Sequence, residues 1–119
     1  MVAAVARQRE RDPVRVEKVF DGIGALVINA ARALADGDPR KLGQLLDLNH
    51  ALLASLMLST PRLEALVSRA RADGAHGAKV TGAGGGGCML ALAAEERVDQ
   101  IREGLLSMEA EVIITKVQA

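Results

Sequence analysis

Between residues 79 and 93 the chain reads Lys-Val-Thr-Gly-Ala-Gly-Gly-Gly-Gly-Cys-Met-Leu-Ala-Leu-Ala, with glycine at 82, 84, 85, 86 and 87. Glycine in regular structure costs about 0.5–1 kcal/mol against alanine. A run this dense therefore reads as a loop. Its apolar flanks, 78–81 and 88–93, are too short for helices and read as strands. Two explanations of the glycines stand. Residues without side chains can take positive φ and turn successive N–H groups toward a bound anion. Alternatively, the run is a loose hairpin or a bulge against which a helix packs closely.

Two familiar phosphate motifs fail on this stretch. Gly82, Gly84 and Gly87 match G-x-G-x-x-G in form, but the dinucleotide fingerprint needs a helix directly after the loop, and 88–93 reads as a strand. The P-loop needs Gly-Lys-Ser/Thr after the glycines. Here Gly87-Cys88-Met89 follows.

The rest of the chain is mainly helical. Residues 1–10 read as a short helix that Pro13 interrupts. Over 14–35, Val16, Val19, Phe20, Ile23, Leu26, Val27, Ala30 and Leu34 recur at steps of three and four, which predicts an amphipathic helix. Asp36-Gly37 ends it, and Asp38-Pro39 opens the next with an N-cap and a proline at the first helical position. That helix, 39–58, carries Leu42, Leu45, Leu46, Leu52, Leu53 and Leu56. Ser59-Thr60-Pro61 repeats the grammar for a helix over 61–73, closed by Asp73-Gly74. After the glycine run, 95–107 reads as a helix, and 111–117, rich in Ile and Val, as a strand. The pattern is α+β: helical hairpins packed on a small antiparallel sheet.

Composition excludes several roles. Fifteen Lys+Arg balance fifteen Asp+Glu, and Phe20 is the only aromatic residue. The chain thus has neither the basic surface nor the stacking platforms of a nucleic-acid binder. No apolar run reaches the ~18 residues of a membrane span, and no signal peptide is readable, so neither a nucleic-acid nor a membrane partner is expected. Cys88 stands alone and no Cys/His cluster has metal spacing, which points to the cytoplasm and to no metal site.

The segment Lys79-Val80-Thr81-Gly82-Ala83-Gly84-Gly85-Gly86-Gly87-Cys88 resembles the third signature motif of the GHMP kinases. The lysine, the Thr-Gly-Ala-Gly core and the trailing cysteine look most like the mevalonate kinase branch, archaeal forms especially. Asp47-Leu48-Asn49-His50-Ala51-Leu52-Leu53, Leu58-Ser59-Thr60-Pro61-Arg62-Leu63 and Gly74-Ala75-His76-Gly77-Ala78-Lys79 are similar to the passage before that motif. The likeness spans about 14–117.

The resemblance implies a ferredoxin-like C-terminal domain over 1–119, with its first strand missing. In such kinases an N-terminal ATP-binding domain supplies a Ser-Ser phosphate loop, the base and the magnesium ligand. No Ser-Ser segment exists in this chain, so no catalytic residue is expected in it. The intact enzyme would use ATP and Mg2+ to phosphorylate mevalonate, and neither is expected to bind this chain tightly alone. The expected partner is the absent N-terminal domain, or a second copy satisfying the open sheet edges, besides the small-molecule substrate. A stand-alone ferredoxin-like ligand-binding module, or a kinase of phosphomevalonate, homoserine or a sugar, are the alternatives.

The candidate phosphate-site residues are Lys79, Thr81, Gly82, Ala83, Gly84, Gly85, Gly86 and Gly87. Strand alternation puts Lys79 and Thr81 on one face. Asn49 falls on or beside the leucine stripe, either as a core amide satisfied by backbone or as a polar group facing the substrate cleft. His50 faces solvent or the same cleft. His76 reads as a solvated loop residue and Cys88 as a small buried hydrophobe.

Overall fold

The computed structural model describes residues 7, 10–81 and 87–116. Three helices, α1 (Pro13–Ala35), α2 (Pro39–Ser55) and α3 (Pro61–Ala72), begin in the same way. Each has proline in its first turn, and a polar side chain just before it accepts a backbone N–H three residues on. Asp12 takes that of Arg15, Asp38 that of Lys41 and Thr60 that of Leu63, each at 3.1 Å. Such a cap is worth about 1 kcal/mol. Gly37 and Gly74 follow α1 and α3 at φ +66° and +108°, the left-handed turn that lets the chain reverse. Most of the helix expected over 1–10 lies outside the described residues, of which Arg7, Glu10 and Arg11 are helical.

Strands β1 (Gly77–Val80) and β2 (Met89–Leu92) pair antiparallel, Gly77 with Leu92 through Val80 with Met89. A 3-10 turn, Glu95–Arg97, leads into α4 (Val98–Leu106). Helix α1 packs on α2, α2 and α3 pack on β1, and α3 meets β2 and α4. Leu56, Val16, Val67 and Val80 are the large side chains at the fully buried centre, surrounded by Leu53, Leu63, Leu66, Ala70, Ala78, Ile101 and Leu105. Burying each Leu, Ile or Val contributes roughly 1.5–3 kcal/mol.

One contact is backbone on backbone. A Cβ built on Gly43 would overlap the carbonyl of His76, and one on Gly77 would overlap the carbonyl of Gly43. Helix α2 therefore lies against the head of β1 at a distance that only two glycines permit.

Three expectations are corrected. Residues 111–116 are not in a strand, and among the described residues no strand pairs with them. β-branched residues favour a pleated, half-buried surface, but a strand also needs a neighbour's backbone. Val112 packs against the core, whereas Ile113 is 94% exposed. Cys88 is exposed rather than buried, because it lies beyond the β1–β2 pairing. At the end of α1, Ala33 is buried and Leu34 is turned outward.

Candidate functional site

Of the glycine run, residues 82–86 lie outside the described residues, so the expectations for Gly82, Ala83, Gly84, Gly85 and Gly86 find no structural counterpart here. The neck of the loop is described. The Thr81 N–H donates to the Cys88 carbonyl at 3.1 Å, and the Thr81 hydroxyl lies 3.4 Å from the same oxygen. Gly87 stands at φ +72°, in the left-handed region. The two strands thus hand over to the loop through one closed backbone pair and a residue in a conformation that favours glycine.

Lys79 faces Leu90 across the hairpin and is half-buried between buried neighbours Ala78 and Val80. Loss of water around its ammonium lowers its pKa below the usual lysine value. Among the described residues it makes no ion pair. A partly desolvated cation two residues from a closed glycine-loop neck suits an anion such as a phosphate.

The other edge of β1 faces helices. The N–H groups of Ala78 and Val80 point away from β2, and α2 receives both. Asp47 Oδ1 accepts the Ala78 N–H at 2.9 Å, and His50 Nδ1 accepts the Val80 N–H at 3.1 Å. Arg71 of α3 donates to the Ala78 carbonyl at 2.9 Å, while its Nε lies 2.8 Å from Asp47 Oδ1 as an ion pair. Side chains three residues apart on α2 therefore act where a neighbouring strand's carbonyls would.

His50 is held from both sides. With Nδ1 accepting, its proton is on Nε2, which donates to the Glu64 carboxylate at 3.0 and 3.1 Å. The imidazole is 4% exposed. Its hydrogen bond lowers the Glu64 pKa below the ordinary carboxylate value.

The structure thus brings Lys79, Thr81 and Gly87 to one hairpin end and places His50 behind that hairpin, bonded to its backbone. Asn49 is half-buried, about 100° round α2 from His50. No hydrogen bond joins it to β1 among the described residues. His76 is half-buried, its N–H donating to Leu92 at 2.7 Å.

Sequence reasoning missed Gly43, Asp47, Glu64 and Arg71. A signal for the first two existed: Gly43, Asp47 and His50 recur at steps of four and three along a leucine-rich helix. Such a small and polar stripe suits a face packed against backbone rather than side chains. Among the described residues no group of three His, Cys, Asp or Glu is placed to hold a metal ion. No helix among them is long and apolar enough to cross a membrane.

Comparison with known proteins gives these elements a setting. The family model described as GHMP kinases C terminal matches residues 30–110. A mevalonate kinase of Thermococcus gammatolerans is 45% identical over 102 residues, covering 82% of this chain and 30% of that protein. One of Methanothermobacter thermautotrophicus is 41% identical over 91 residues, covering 76% of this chain and 30% of that protein. The crystal structure of L. major mevalonate kinase in complex with R-mevalonate superposes with a TM-score of 0.83 at 36% identity, covering 89% of this chain and 33% of that one. The chain spans about a third of the length of these relatives.

Proposed function

The chain belongs to the GHMP kinases C terminal family, and we propose that it is the C-terminal part of a mevalonate kinase. The whole enzyme would transfer the γ-phosphoryl group of ATP to the primary alcohol of mevalonate. The observation that carries this reading is the likeness, over 89% of the chain, to the kinase crystallised with R-mevalonate. The hairpin end supports it, with its half-buried Lys79 cation and closed neck.

In this reading residues 82–87 bring backbone N–H groups to the transferring phosphate, and Lys79 and the Thr81 hydroxyl face the same anion. Such groups stabilise negative charge that develops on transfer, by position rather than by proton transfer. Asn49 is proposed to face the substrate cleft. Mg2+ would neutralise phosphate charge in the whole enzyme, and its ligands and the base would come from the N-terminal domain. ATP, Mg2+, mevalonate and that N-terminal domain are accordingly the proposed partners, and the cytoplasm the proposed location.

The test is a joined enzyme, in which this chain replaces the matching 30% of the Thermococcus gammatolerans mevalonate kinase. ATP-dependent phosphorylation is measured on mevalonate, phosphomevalonate, homoserine and galactose. The expected result is turnover of mevalonate at roughly 1–100 per second, the ordinary range of kinases, and far less on the others. A folded joined enzyme that prefers another acceptor would overturn the substrate assignment.

A further inference from the structure

We propose that His50 is a positioning residue for the glycine loop: through Nδ1 it fixes the Val80 amide, and through Val80 the Thr81–Cys88 neck. For the reaction this rests on the phosphoryl-transfer reading above.

The geometry separates His50 from an ordinary core histidine. Its acceptor is spent on a strand amide rather than on a side chain, and that amide is the last of β1. One residue later the chain pairs with Cys88 and leaves the sheet for the loop. Asp47 performs the same service two residues earlier, at Ala78, where β1 is already held by Gly43 and Arg71. His50 is thus the anchor nearest the loop. Burial at 4% exposure keeps water from replacing it.

The ring is set in this role by Glu64. The carboxylate accepts a hydrogen bond from the Nε2–H, which keeps the proton on Nε2 and leaves Nδ1 with a lone pair facing Val80. Donors aimed at a developing charge act by being held still before the reaction. An anchor on Val80 holds the Thr81–Cys88 neck, the described root of the loop, in one place.

Two substitutions divide the ring's functions. In His50→Asn the side-chain oxygen lies near the place of Nδ1 and can accept the Val80 N–H, but the contact with Glu64 is lost. In His50→Gln the amide nitrogen reaches the place of Nε2 and keeps Glu64, but nothing accepts from Val80. Amide exchange at Val80 and Thr81 in the full chain is the first readout. The Gln variant should exchange about tenfold faster or more, and the Asn variant within about threefold of the unsubstituted chain. The second readout is kcat and KM in the joined enzyme. The Gln variant should lose about tenfold or more in kcat with KM for ATP and mevalonate little changed, and the Asn variant should recover most of it.

Equal exchange in both variants would overturn the proposal. So would kcat losses that only follow equal losses of melting temperature. An inactive unsubstituted joined enzyme would instead overturn the functional reading, while the exchange comparison would still decide what His50 holds.

Discussion

Gly43 on α2 and Gly77 at the head of β1 touch through their backbones, and neither has room for a Cβ. This contact sets how near α2 lies to β1. The spacing in turn lets two short-reaching side chains, Asp47 and His50, bond strand amides directly.

Replacing Gly43 or Gly77 with alanine should destabilise the chain by about 1–3 kcal/mol or more, because the obstacle is backbone, which cannot rotate away. Gly24 is the control. It is exposed within α1 with nothing near its missing Cβ, so Gly24→Ala should stabilise by about 0.5–1 kcal/mol. Denaturant unfolding of the three variants checks both signs.

Asp47→Ala leaves the buried Ala78 N–H without its acceptor. The expected loss is about 1–3 kcal/mol. Asp47→Asn keeps an oxygen in place and should recover much of it, losing mainly the ion pair with Arg71. Unfolding midpoints in urea give the comparison. Equal losses would mean that the charge, and not the amide bond, matters.

Acid should weaken the fold through Glu64. Its folded-state pKa is lowered from the ordinary 4.5 by the His50 hydrogen bond. The carboxylate therefore contributes stability above the unfolded value, and that contribution is lost as pH falls through the folded one. The melting temperature of the unsubstituted chain should exceed that of Glu64→Gln at pH 7, and the gap should narrow below about pH 4. A constant gap would show that ionisation of Glu64 plays no part.

In the joined enzyme, Gly84→Val or Gly85→Val should lower kcat by about 10²–10³ while leaving the melting temperature nearly unchanged. A β-branched side chain blocks both positive φ and the approach of a backbone donor to phosphate. Normal kcat with a lowered melting temperature would mean that the loop is structural only.

Much of this architecture was legible in the sequence. Asp38-Pro39 and Thr60-Pro61 announce helix starts because capping and proline chemistry are local. The glycine run with its apolar flanks announces a hairpin for the same reason. The hold on β1 was not legible, because it joins residues about thirty positions apart: Asp47 to Ala78 and His50 to Val80. The β-branched stretch 111–116 misled, because propensity records what suits a sheet and not whether a partner strand is there. At the site, Lys79 and Thr81 were singled out by type and order. The role of His50 depends on its tautomer, which only Val80 and Glu64 together define.

The proposal that this chain supplies the glycine-loop part of a mevalonate kinase can be tested by reconstitution. The most direct measurement follows phosphomevalonate formed from ATP, Mg2+ and mevalonate by three samples: this chain, the N-terminal portion of the Thermococcus gammatolerans mevalonate kinase, and the two joined. The joined protein should form product at a rate at least about 10³-fold above either part. Turnover by this chain alone at the rate of an ordinary kinase, or none by a well-folded joined protein, would contradict it.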